Sequence, residues 1–469
     1  MNEIKNTAYQ ETKNWKKRIA GFLVSQNVSM FGSSVVGYAI IWYITLETSS
    51  GTWMMLATIC MVVPQLVLSL FGGVWADRHN RKYLIMLADG FIALATLVLA
   101  ILFLLGVKNL ALILVVSSVR SIGSGIQQPA VSALYPQLVP ESELVRIQGI
   151  NQTLNSVLQL IAPVAGGAVL GLVGIVGAFF VDVVTAALAI FIFTFIHIDK
   201  VTRIDEITTV LGELKQGLKY SFEDIRIKRM IGYYAVAFFL MTPTIVLTPL
   251  LVERTFGSDV WRLTANEMVW GVGSLIGGII VSIKGSFRDK LFVLTVTLTA
   301  FGATFAMLGV APTFLIYLII MGAAGFFLPF FVTAETVYLQ EIVPPDRMGR
   351  VFSIITIIGG GAMPIAIILF GPLADIVAIE TILIVTGIAV VIIGLLFHRG
   401  NMRLKKAGLY DVMSKEEFSK KKTTDAGAVS DQKNTTNAGN KSDQSKTCVA
   451  TDDAVVADDT AETVDTAKN

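Results

Sequence analysis

The sequence predicts an all-α, polytopic membrane protein with twelve transmembrane helices in two six-helix pseudo-repeats. Three observations carry this. Of 469 residues, 54% are hydrophobic and only 15% charged, where a soluble domain has about 25% charged residues; mean hydropathy is +0.68. The apolar residues fall in long blocks, not in the periodic stripes of a water-facing helix. Landmarks of the first half return in the second: Gly72-Gly73 as Gly277-Gly278, and Val139-Pro140 with Arg146 as Val343-Pro344 with Arg350.

A spanning helix needs about 20 predominantly apolar residues. Twelve blocks meet this. The first six are 19–46, 52–75, 83–105, 109–134, 147–172 and 174–196. The second six are 228–252, 265–284, 290–309, 313–338, 350–374 and 378–398. Lys and Arg gather at alternate ends: Lys13, Lys16, Lys17 and Arg18 before the first block, then Arg78, Arg81 and Lys82 after the second. Lys284, Arg288 and Lys290 follow the eighth block, and Arg347 and Arg350 the tenth. The intervening connections are poor in such residues. By the positive-inside rule both termini are expected in the cytoplasm of a cell-membrane protein.

These blocks suggest an N-terminal half over 1–198 and a C-terminal half over 230–400. Between them, residues 199–229 are charged, and Val210, Leu214, Leu218 and Phe222 recur every four residues. That spacing suits an amphipathic helix on the inner membrane surface, or a linker with transient helix. Residues 401–469 are rich in Lys, Asp, Thr, Ala, Asn and Ser, too polar to offset the entropy of ordering, and are expected to form a disordered cytoplasmic tail. The first eighteen residues are polar and the apolar run after them is too long for a signal peptide core. Cys60 lies in an apolar block and Cys448 in the tail, so no disulfide framework is expected.

The second and third blocks are joined by the stretch Gly72 to Lys82, GGVWADRHNRK. Asp77, Arg78, His79, Arg81 and Lys82 crowd into a tight turn between antiparallel helices. The positive-inside rule accounts for Arg81 and Lys82, but not for an Asp followed directly by Arg after paired glycines. Gly73, Ala76, Asp77, Arg78, Arg81 and Lys82, at these spacings, resemble the signature loop between helices 2 and 3 of the major facilitator superfamily of transporters. Trp75 stands where Leu is usual there, and Asn80 where Gly is usual. The resemblance implies two parallel six-helix halves, a gating role for this loop, and transport by alternating access.

An ionisable side chain inside a span costs about 2.5–3.5 kcal/mol on insertion scales. Arg120 lies near the middle of the fourth block and should face the bundle interior, paired with a carboxylate or a helix end. It resembles the Arg of the family's helix-4 motif, which implies proton coupling or substrate contact; a structural ion pair is the other reading. Asp182, about eight residues into the sixth block, suits a proton carrier, a partner for a cationic substrate, or a structural hydrogen bond. Asp89 is expected to hold the arginines of the signature loop. Glu335, near the end of the tenth block, reads as surface-facing. Gln127, with Gln128, Asn151, Asn155 and Gln159, adds polar groups to the fourth and fifth blocks.

In the fifth block, Pro163 with Gly166 and Gly167 resembles the antiporter motif of drug-exporting members. Proline frees a backbone carbonyl and the glycines admit a close neighbour, which suits a hinge or a static kink. Over residues 15 to about 400 the chain is similar to the macrolide-efflux branch, related to enterobactin exporters. The strings Arg120 to Pro140 and Gly349 to Ile365 carry that likeness.

No phosphate-binding glycine loop occurs: Gly212 and Gly217 have its first spacing, but Leu218 stands where Lys is needed. His79, His197 and His398 form no metal-ligand cluster. The expectation is a non-enzyme without cofactor, metal or nucleic-acid partner. It would exchange protons for a small amphiphilic substrate of macrolide type across the lipid bilayer. Export of a siderophore or peptide is the alternative within transporters; a non-transporting scaffold or sensor is the alternative outside them. Asp77→Asn should impair transport while leaving membrane insertion intact, as read by substrate efflux at matched protein level in the membrane. Full efflux by the variant would remove the gating role.

Overall fold

The computed structural model describes residues 2–198, 225–343 and 345–406. The amphipathic segment expected within 199–229 falls largely outside the described residues, as does the tail beyond residue 406. Twelve helices are described: α1 Asn2–Thr48, α2 Gly51–Arg78, α3 Arg81–Leu104, α4 Leu110–Leu138, α5 Glu141–Leu172 and α6 Ile175–Thr194, then α7 Ile225–Phe256, α8 Val260–Lys284, α9 Lys290–Leu308, α10 Phe314–Ile342, α11 Pro345–Leu373 and α12 Ile379–Lys406. Eleven are long and apolar enough over their described residues to cross a membrane; α11 contributes the shorter apolar stretch Ile357–Leu373.

Helix α3 shows how these sequences sort themselves. Ile85, Ala88, Asp89, Ile92, Thr96, Leu99 and Phe103 are buried. On its other face Leu87, Phe91, Leu94, Val98 and Ile101 are exposed. Both faces are largely apolar, and the polar groups point inward, the reverse of a water-soluble helix and the arrangement lipid requires. The turns are short because their caps sit in place. Asn80 accepts from the Lys82 amide at 3.0 Å, Asn109 from Ala111 at 2.8 Å and Asp289 from Phe292 at 3.0 Å. Asn80, a departure from the family pattern, is thus the N-cap of α3.

The helices pack in a pattern that repeats six elements later. α1 packs on α5 and α6, as α7 packs on α11 and α12. α3 packs on α4 and α6, as α9 packs on α10 and α12; α2 packs on α4 as α8 packs on α10. Lipid tails offer helices little hydrophobic drive to associate, so close backbone approach takes its place. Gly72 of α2 fits against the Gly125 carbonyl and Pro129 of α4, and Gly277 of α8 fits against the Phe326 carbonyl and Pro329 of α10. The sequence repeat of Gly72 and Gly277 is therefore a repeat of one packing contact.

α5 with α8, and α2 with α11, join the first six helices to the last six, with smaller contacts of α7 on α1 and α2. Most of the residues that meet lie in the half of the bundle away from the start of α1, here called distal, and Leu66 meets Gly360 near its middle. Leu160 meets Gly271, Gly167 meets Thr264, and Met55 meets Gly371. At the distal edge Asp375, between α11 and α12, caps α2. Its carboxylate accepts from the amides of Gly51 at 2.6 Å and Thr52 at 2.9 Å, and from the hydroxyls of Thr52 at 2.6 Å and Ser50 at 2.9 Å. Arg254 of α7 adds an ion pair at 3.2 Å and also donates to the carbonyls of Ala374 at 2.6 Å and Ser49 at 2.5 Å. Ser49, at φ 44°, in turn donates its hydroxyl to Glu253 at 2.6 Å.

Burial opposes ionisation of Asp375, but the hydrogen bonds from Thr52, Gly51 and Ser50 outweigh it and bring its pKa from 3.8 down to about 2. A carboxyl lowered in this way adds its full contribution above 3.8 and loses it as pH falls through about 2. Asp375→Asn should weaken the distal closure by about 1 kcal/mol, the usual worth of an N-cap. With Cys60 and Cys448 replaced by Ser and a cysteine placed at Met55, maleimide labelling from the aqueous phase should rise several-fold in the variant. In the parent it should stay flat from pH 8 to 5 and rise only below about pH 4. Equal labelling of both proteins would refute the latch.

Candidate functional site

Inside the first six helices a polar ladder crosses α1, α3, α4 and α6. Helical spacing builds it. Ser29 and Ser33 lie four residues apart on α1; Asp89 and Thr96 lie seven apart on α3, as do Arg120 and Gln127 on α4, so each pair shares one helix face. On the first rung, Asp89 Oδ1 accepts from Ser29 Oγ at 2.7 Å and from Gln127 Nε2 at 2.7 Å. On the second, Asp182 Oδ1 accepts from Ser33 Oγ at 3.0 Å, and the Thr96 hydroxyl lies 3.0 Å from Asp182 Oδ2. Arg120 Nη1 reaches both Thr96 Oγ1 and Asp182 Oδ2, forming an ion pair. Asp182 is 1% exposed and Arg120 11%.

Arg120 thus has its carboxylate, and Asp182 is not isolated. Asp89 is a correction. It takes its hydrogen bonds from Ser29 and Gln127, both neutral, and not from the signature-loop arginines. The physical reason is depth. Asp89 lies eight residues into α3, about 12 Å from the turn, while the loop's basic groups spend their donors on nearby helix ends. Arg81 donates to the carbonyls of Ala76 at 3.1 Å and Ala133 at 2.8 Å. Lys82 donates to those of Thr194 at 2.8 Å and Ile196 at 2.7 Å, capping the C-terminal end of α6 with a cation. Arg78 is exposed; the side chain of Asp77 and the contacts of Gly73 lie outside the described residues.

Pro163, Gly166 and Gly167 sit within an unbroken α5. Gly166 fits against Val35 and Tyr38 of α1, and Gly167 against Trp42 of α1 and Thr264 of α8. Gly167 thus marks one of the points where the two sets of six helices touch. Glu335 is half-buried and set against the fully buried Tyr234 of α7, not surface-facing, because α10 turns this side toward α7.

Sequence reasoning missed Glu267. The eighth block was read from residue 265, which put Glu267 at a membrane edge. The Gly257–Asp259 turn, with Gly257 at φ 115°, starts α8 at Val260 and carries Glu267 two helical turns deep. Its isolation in an apolar helix was the available signal.

A family model described as Major Facilitator Superfamily matches residues 22–367. The chain is 26% identical over 392 residues to macrolide efflux protein A of Streptococcus pyogenes, covering 82% of this chain and 96% of that one. It is 22% identical over 386 residues to the staphyloferrin A transporter of Staphylococcus aureus, with the same coverage. Among solved structures, a bacterial homologue of the iron transporter ferroportin in its inward-facing state superimposes with a TM-score of 0.63 at 15% identity, covering 81% of this chain and 98% of that one. The nucleoside transporter NupG superimposes with a TM-score of 0.62 at 14% identity, covering 82% and 98%. A packing scheme that repeats after six helices, and a family model spanning both sets, lead to one assignment: the chain is a multi-pass transporter, not an enzyme, and belongs to the Major Facilitator Superfamily.

Proposed function

We propose that the chain exports bulky amphiphiles of macrolide type from the cytoplasm across the cell membrane, in exchange for protons, with both termini on the cytoplasmic side. The observation that carries this is the ladder of Asp89, Asp182 and Arg120. Two carboxyls lie deep in a single helix bundle with one guanidinium, which pairs with Asp182, so the other, Asp89, is balanced by neutral donors alone. A carboxyl without a fixed countercharge is a group that can take up and release one proton as its surroundings open and close. Arg120 ties Asp182 to Thr96, and Thr96 shares α3 with Asp89, so movement of α3 or α4 alters both rungs together.

The distal contacts support a state open toward the cytoplasm, with the Asp375–Arg254 latch as the outer closure. The signature loop, with Asp77, would close the other side in the alternate state, and Pro163 with Gly166 and Gly167 would serve the rocking of α5 against α8. The relatives that carry the name macrolide efflux protein support the substrate class. The staphyloferrin A transporter keeps export of a siderophore as a second reading.

The test is proton flux in everted vesicles. Adding a macrolide to vesicles with an acid interior should relieve the acidity in the parent and not in Arg120→Ala or Asp182→Asn. Removing one member strands a buried charge, at a cost of about 3–5 kcal/mol. A paired Arg120→Met, Asp182→Leu variant should therefore recover thermal stability without recovering flux. Normal macrolide-driven flux in that variant would reduce the pair to a structural element.

A further inference from the structure

The geometry points to Glu267 as the residue that holds the cationic centre of the substrate, and so selects protonated amines over anionic solutes. This deepens the export reading and rests on it. α8 presents two stripes. Asn266, Trp270, Gly273 and Gly277 turn toward α10, against Tyr317, Gly325, Gly322 and Phe326. Thr264 and Gly271 turn the other way and meet Gly167 and Leu160 of α5, in the opposite set of six helices. Glu267 lies between those two at helical spacing, on the stripe that faces across the molecule, where Tyr38 of α1 comes within its electrostatic reach.

The carboxylate is held in place from behind. The Tyr317 hydroxyl donates to Asn266 Oδ1 at 2.8 Å, and Asn266 Nδ2 donates to Glu267 Oε1 at 3.1 Å; Tyr317 and Asn266 are both fully buried. This fixes the Asn266 amide and leaves the second oxygen of Glu267 free of any described hydrogen bond. No cation lies within ion-pair distance among the described residues. Arg262, the nearest on α8, is paired with Asp259 at 3.3 Å and stacked on Trp261.

On α1, Tyr38, the phenol within reach of Glu267, sets its ring 5.5 Å from that of Trp42, which is itself buried against Gly167. Aromatic faces attract a desolvated cation, most strongly where an anion lies across from them. A carboxylate oriented by a buried relay, with the Tyr38 phenol in its reach and no described cation paired to it, matches a greasy ligand with one positive charge.

The probe is tetraphenylphosphonium, whose charge is permanent, measured by equilibrium binding to the purified full chain. Glu267→Gln keeps the shape and the Asn266 hydrogen bond. It should weaken tetraphenylphosphonium binding at least tenfold, with a smaller loss in Glu267→Asp. Binding of a macrolide whose amine has been made neutral by removal of one N-methyl followed by acylation should stay within twofold in the same variant. Unchanged tetraphenylphosphonium affinity in Glu267→Gln, equal losses for the charged and neutral ligands, or no binding by the parent would each overturn the assignment. Macrolide-driven proton flux reports separately on the export reading: parent vesicles that bind the cation through Glu267 yet move no protons would defeat antiport alone.

Discussion

A guanidinium cannot stay in hydrocarbon without an anion beside it, and the first six helices are arranged around that demand. Arg120 lies ten residues into α4, about 15 Å from its distal end, and Asp182 seven residues into α6. To bring them together, α4 and α6 must both press on α3, and the observed packing has them there. Ser33 from α1 and Thr96 from α3 then complete the coordination. Such a pair is weak evidence for stability, since its desolvation offsets most of its attraction. Its stronger effect is on register: one turn of slip in α4 or α6 would leave a charge unmatched, and in α1 or α3 would take a hydroxyl partner from the pair.

The last six helices repeat the packing but not the ladder. Glycines on α8 and α10 let the two backbones touch between Trp270 and Gly277, as Gly72 and Gly125 do for α2 and α4. Among the described residues, the second set carries no buried ion pair but has carboxyls with neutral company, Glu267 beside Asn266 and Glu335 beside Tyr234. The molecule is therefore similar in shape and unlike in electrostatics on its two sides.

Much of the fold was legible because a bilayer imposes a coarse rule that one sequence displays: long apolar blocks, basic connections, glycines at matching places. The Arg120–Asp182 pairing was half legible. Depth showed that each needed a partner, but not which helix faces would meet. Asp89 was misassigned because nearness in sequence to Arg81 and Lys82 suggested a contact that 12 Å of helix prevents. Glu267 was missed because a helix start was set by apolar content, while the chain sets it by a left-handed glycine turn at Gly257. The distal latch was invisible: Asp375, Arg254 and Ser50 are far apart in sequence and ordinary in type, and only the fold makes them neighbours.

Asp375 and Arg254 are each about a quarter exposed at the distal surface. Dissolved ions reach that edge and screen exposed charges within about 8 Å at physiological ionic strength. Salinity on that side thereby becomes a thermodynamic handle on the molecule, acting at the rim without competing for the interior. Brine would loosen the outer seam and dilute medium would tighten it, so the resting posture of this carrier is partly written in the water around it.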